Sequence, residues 1–141
     1  MGSYEFLEHT ADEKFRVTAK SLDDAFATSV QAFYEILVGK EHVKKQESRD
    51  ITLSANKLTT LLYDFLNELV FYFDDADLLL PHVEALAIDK EGDEFVLNAT
   101  LVGDKQYDYD LRTEIKNMTY SEMAVTEKKN GQWELVVVVD I

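Results

Sequence analysis

Two stretches of the chain repeat their apolar residues every three or four positions, and most of the remainder alternates them by twos. Leu22, Ala25, Phe26, Ser29, Val30, Phe33 and Leu37 fall at helical spacing. Ser21-Leu-Asp-Asp24 before them resembles a capping box with Asp in place of Glu or Gln, and Gly39 stands where the helix would end. The second helix is expected after a cap at Ser54, with Leu58, Leu61, Leu62, Phe65, Leu69 and Phe73 on its core face. Val70 and Phe71 widen that face, which predicts burial on more than one side. Asp74-Asp-Ala-Asp77 closes the helix against its own dipole, so these acids are either solvated or used.

Strands are expected at Tyr4–Leu7, and around Phe15, Val17 and Ala19, which alternate with Lys14, Arg16, Thr18 and Lys20 as on a sheet with one wet face. Arg49–Leu53 alternates briefly. Pro81 begins the second half, where Val83–Asp89 and Phe95–Val102 are joined across Glu91-Gly92-Asp93. Gly103-Asp104 reads as a further turn, and Thr119–Thr126 as a strand. Asn130-Gly131 is the strongest hairpin signal and feeds the last strand, Trp133 to Asp140. There Leu135, Val137 and Val139 face one way and Val136 and Val138 the other, which predicts a central strand covered on both faces. The order implies an α+β fold: two helices packed on a largely antiparallel or mixed β-sheet, in a single two-layer domain over residues 1–141.

That last strand ends on Asp140, followed by Ile141 and its α-carboxylate. Two negative groups at the edge of a core call for a cation, a basic side chain or open water. Two other places could carry chemistry: His9 with Asp12, and Lys116 with Thr119. Each has an ordinary reading, as a local hydrogen-bonding residue, a solvated chain end or a surface lysine. Taken together, carboxylates with a hydroxyl suit a hard divalent ion such as Ca²⁺ or Mg²⁺, and a lysine beside them could balance charge or contact a phosphate. Spacing alone does not bring residue 12 to residue 140.

Composition narrows the partners. With 28 acidic and 14 basic residues the net charge is −14, which opposes a phosphate backbone, so no direct nucleic-acid binding is expected of the chain alone. Anionic membranes are disfavoured for the same reason, and no apolar run approaches bilayer length. The absence of cysteine excludes disulfides, thiolate zinc sites and a cysteine nucleophile. No basic-then-apolar leader opens the sequence, so cytoplasmic residence is expected. The five isolated glycines form no phosphate loop, Asp74–Asp77 lacks the glycine and distal glutamate of an EF-hand, and no nucleophile elbow is present. Asp64 and Glu68 read as a solvated or partner-facing pair, and Tyr107, Tyr109 and Tyr120 as core or sheet-face residues.

Several segments are similar to archease proteins: Tyr4-Glu-Phe-Leu-Glu-His-Thr-Ala-Asp12, Ser21-Leu-Asp-Asp-Ala-Phe26 with Gln31-Ala-Phe33, Leu61-Leu-Tyr-Asp-Phe-Leu-Asn-Glu-Leu69, Glu114-Ile-Lys-Asn-Met-Thr-Tyr120, and Val139-Asp140-Ile141. The resemblance runs through the chain in order. It implies an accessory protein, not an enzyme, that activates the GTP-dependent RtcB-type RNA ligase of tRNA splicing by promoting its guanylylation and repeated turnover. It also implies a divalent metal held between Asp12 and Asp140, with Lys116 in the same cluster and the Ile141 carboxylate, His9 and Thr119 as neighbours. The chain departs from the pattern at Glu13-Lys14, where many members have an apolar residue and glycine, and at Ser121, where many have histidine. The alternatives are a small metal-dependent phosphohydrolase, which would turn over without a partner, and a chaperone-like interaction module, for which the metal would be dispensable.

Overall fold

The Ser21 hydroxyl accepts a hydrogen bond from the Asp24 amide at 3.0 Å, and helix α1 (Leu22–Val38) begins there. It ends at Gly39, whose φ of 70° is easily reached only without a side chain. The computed structural model describes residues 2–8 and 11–141. Along α1, Ala25, Phe26, Ser29, Val30, Phe33 and Leu37 are buried as expected, but so are Ala32, Tyr34, Ile36 and Val38. This helix is therefore enclosed on several sides. Helix α2 (Leu58–Ala76) behaves differently. It buries one stripe, Leu61, Leu62, Phe65, Leu66, Leu69 and Val70, and leaves Phe71 51% exposed. The broad burial expected of α2 thus belongs to α1, because Phe71 lies off the stripe with no layer above it.

Nor does α2 begin at Ser54. Strand β3 (Glu47–Ala55) is paired with β5 (Glu94–Lys105) as far as Ala55 opposite Phe95, so the Ser54 backbone belongs to a sheet ladder. Lys57 precedes the helix without a side-chain cap. At the other end Asp77 adopts the left-handed conformation, and its amide donates to the Phe73 carbonyl.

The strands form two antiparallel sheets where the sequence suggested one. Four are ordered β1 (Ser3–Leu7), β2 (Glu13–Ala19), β7 (Trp133–Asp140), β6 (Asn117–Glu127), and three are ordered β3, β5, β4 (Leu78–Glu91). Both helices contact both sheets. Phe15, Val17, Leu135, Val137 and Val139 enter the core fully buried beside Phe26, Phe65 and Leu78–Leu80. Each such side chain contributes ~1.5–3 kcal/mol relative to exposure. Among the described residues no helix is long and apolar enough to cross a membrane.

Strand β7 is central, as its apolar run predicts, but its outer face has an unexpected cover. Between Thr119 and Ala124, β6 takes five steps while β7 takes two, from Val138 to Val136. The surplus residues bulge outward, with Glu122 at φ 59°. Lys14 of β2 reaches across β7 and donates to Glu122 Oε1 at 2.7 Å. This ionic strap lies over Val138, which is 1% exposed, and replaces a second layer of structure.

In the other sheet Gly103 is not a turn residue; β5 runs through it to Lys105. A Cβ at this position would come within 1.6 Å of the Leu79 carbonyl oxygen. The approach is close because β4 shifts register between Leu79 and His82, the bulge that contains Pro81. A proline without an amide donor is tolerated there.

Candidate functional site

The register of the four-stranded sheet assembles the candidate site. Glu13 pairs with Val139 and Lys14 with Val138, so Asp12, in the bend just before β2, and Asp140, the last residue of β7, are the next residues at the same sheet end. On the other side of β7, Asn117 pairs with Asp140, Met118 with Val139 and Thr119 with Val138. The Lys116 amide donates to the Asp140 carbonyl at 2.9 Å. Asp140 thus occupies the middle of a sheet end, with Asp12 on one flank and Lys116-Asn117 on the other, and Ile141 follows directly. Asp12, Asp140 and Ile141 are all half-buried, whereas Lys116 is exposed.

Side chains at this end are less committed than the backbone. Among the described residues Asp140 makes no side-chain hydrogen bond or ion pair, and neither does Lys116. Ala11, immediately before Asp12, has a φ of 70°. A non-glycine residue in the left-handed region costs about 1–3 kcal/mol and persists where the surroundings impose it. Thr119 belongs to the neighbouring pair, beside Val138 instead of Asp140. Its hydroxyl accepts from the Ser121 amide at 3.0 Å and so helps shape the β6 bulge. His9 lies outside the described residues.

Lys14 is the neighbour that the sequence did not mark as functional. It follows Asp12 by two positions, on the same face of β2, and its ammonium is tied to Glu122. The alternation of β2 announced an outward lysine, but only the bulge of β6 supplies its partner. Of the three tyrosines only Tyr107 departs from expectation: Tyr109 packs against the core and Tyr120 sits on β6. Tyr107 is 72% exposed and donates to Asp77 Oδ2 at 2.7 Å. Tyr109 donates to Asp104 at 2.8 Å while accepting from the Lys44 amide at 2.9 Å. Tyr120, 52% exposed, stacks on Tyr63 with ring centroids 3.9 Å apart and planes 10° from parallel.

In kind, the donors at the sheet end fit a hard divalent ion. The Asp12 and Asp140 side chains offer only oxygen, and such ions accept a partial protein shell completed by water. Among the described residues no group of three or more His, Asp or Glu side chains is set to grasp a metal.

Two helices on two antiparallel sheets, with an acidic pair at the end of the C-terminal strand, define a small α+β protein of a recognisable kind. The family model described as the archease protein family (MTH1598/TM1083) matches residues 4–141. The chain is similar to the protein archease of Methanosarcina mazei, 33% identical over 140 residues, spanning 98% of this chain and 95% of that one. It is 32% identical over 143 residues to the protein archease of Pyrococcus abyssi, with both chains fully covered. The solution structure of Methanobacterium thermoautotrophicum protein 1598 superposes with a TM-score of 0.83 at 26% identity, covering 98% of each chain. The protein belongs to the archease family.

Proposed function

We propose that this protein activates an RtcB-type RNA ligase, promoting guanylylation and repeated turnover, through the acidic end of its four-stranded sheet. The reading rests on family membership. The structural observation that supports it is the register of β2 against β7, whose last pair, Glu13 with Val139, leaves Asp12 and Asp140 as the next residues at the same sheet end. Asp12 and Asp140 would hold Ca²⁺ or Mg²⁺, with the Ile141 α-carboxylate beside them. When bound, such an ion supplies positive charge to phosphate oxygens. Lys116, exposed and joined to Asp140 only through the main chain, is available to a phosphate of the ligase's nucleotide. The surplus of negative charge favours encounter with a basic nucleotide-binding surface and makes that encounter salt-sensitive.

The test is guanylylation and multiple-turnover joining by the cognate ligase, with and without this protein. Wild type should stimulate both reactions. Asp140→Ala and Asp12→Ala, folded by circular dichroism, should lose at least about tenfold of that stimulation, as expected for removal of a metal-site group. Equal stimulation by the variants removes the acidic end from the mechanism. Hydrolysis of a small phosphate ester by the protein alone would favour a phosphohydrolase instead.

A further inference from the structure

Helix α2 carries a second acidic pair on its half-buried side. Asp64, Asn67, Glu68 and Phe71 line a groove of about 370 Å³ whose other wall is Leu53 of β3. Asp64 and Glu68 are one helical turn apart and half-buried. Among the described residues neither side chain makes a hydrogen bond or ion pair. Burial first, and the charge of Asp64 second, raise the Glu68 carboxyl above its ordinary value. Phe71 is 51% exposed at one end of this groove, and the Tyr63–Tyr120 stack lies one turn before Asn67.

Each feature has an ordinary explanation alone: single exposed aromatics are common, and acidic pairs on helices are usually solvated. Their coincidence is different. Two partly desolvated carboxylates lacking a cation sit against an uncovered ring, and like charges one turn apart destabilise the isolated helix. A cation brought by a partner would relieve both costs.

We propose that this groove docks an arginine-bearing segment of the ligase, with the guanidinium between Asp64 and Glu68 and an apolar neighbour against Phe71 and Leu53. Arginine fits better than lysine because its planar fork serves two carboxylates and stacks on an aromatic face. A second copy of a chain carrying −14 is an unsuitable occupant, as is a nucleic acid. Tyr120 directly follows Thr119 on β6, so a partner held at α2 also meets the strand that leads to Lys116 and Asp140. The inference rests on the ligase reading and adds to it a docking surface separate from the acidic end.

Binding of the full chain to the cognate ligase would be titrated by fluorescence anisotropy at two salt concentrations. The double variant Asp64→Asn/Glu68→Gln should weaken binding at least tenfold and flatten the salt dependence, and Phe71→Ser should weaken it similarly. The control, Glu91→Gln/Glu94→Gln, removes the same charge from exposed positions at the β4–β5 turn and should change affinity less than twofold. At saturating concentration the groove variants should still stimulate guanylylation, whereas Asp140→Ala should not. Circular dichroism and thermal unfolding establish that each variant is folded. If wild type binds and the groove variant matches the control, the docking surface is wrong while the ligase reading stands. If wild type does not bind the ligase, both fall.

Discussion

The two sheets treat their carboxylates differently. Around the three-stranded sheet three acids find neutral donors. Asp50 accepts from Thr100 at 2.8 Å and Asp104 from Tyr109 at 2.8 Å. Asp77 accepts from Gln106 Nε2 at 2.8 Å and from the Tyr107 hydroxyl at 2.7 Å. At the end of the four-stranded sheet, Asp140 has no such donor among the described residues, although Lys116 is bonded to its own backbone. The same chain bonds the side chains of Asp50, Asp77 and Asp104, whereas the Asp140 side chain, next to Lys116 on the neighbouring strand, is one the fold does not bond. On the proposed reading, one sheet is scaffold and the end of the other presents chemistry.

The largest effect on stability should therefore come from the scaffold. Gly103→Ala drives a methyl group into the Leu79 carbonyl, 1.6 Å from an ideal Cβ, where the obstacle is backbone and cannot rotate away. Overpacking of this kind costs about 3 kcal/mol. Urea unfolding should show the midpoint falling by a corresponding amount with little change in slope. A stability equal to wild type would mean that β4 and β5 separate freely at the bulge, and that the sheet is not the rigid member of the pair.

How far the sequence led follows the same division. Local signals were sufficient for α1, from the Ser21 cap to Gly39, and for the turn at Asn130-Gly131, because each is decided within a few residues. The apolar run of β7 correctly predicted a central strand. What covers Val138 was hidden, because Lys14 meets Glu122 only through a β6 bulge with no local signature. Gly103 read as a turn for a related reason: glycine marks turns and close approaches alike, and only the path of β4 distinguishes them. Ser54 looked like a cap until strand pairing extended β3 past it. As for the site, Asp12, Asp140 and Lys116 were separate candidates by residue type, and only the resemblance grouped them into one cluster. Their proximity depends on the register of β2 and β6 against β7, which no spacing along the chain encodes.

A smaller effect is expected where a scaffold acid holds two parts together. Asp77 ends α2 and fastens the short turn at Gln106–Asp108 after β5. Hydrogen bonds from Tyr107 and then Gln106 hold its carboxyl below the ordinary value. A carboxylate lowered on folding stabilises the native state above its unfolded value, about 3.9, and loses that contribution as pH falls through the folded value. Asp77→Asn keeps a residue suited to the left-handed backbone, so the comparison isolates the charge. Its thermal midpoint should lie below wild type at pH 7, and the gap should close as the solution is acidified below the ordinary carboxylate range. A gap that persists in acid would assign the effect to shape instead of charge.

The smallest effect on folding should come from the residue with the largest proposed effect on function. Asp140→Asn preserves volume and leaves the β7 backbone, with its bond from Lys116, untouched. Because the fold makes no use of this side chain, its neutralisation should change unfolding free energy by no more than about 0.5 kcal/mol, the range for sites without a structural role. Divalent ion added to wild type should raise the thermal midpoint, since a ligand bound only to the native state stabilises it, and the same addition should leave Asp140→Asn unmoved. A variant that unfolds much earlier than wild type without added metal would make Asp140 a scaffold acid like Asp77 and erase the contrast between the sheets. A variant of unchanged stability and no metal response would separate the two roles cleanly, because the side chain would then be required by the ligand and not by the fold.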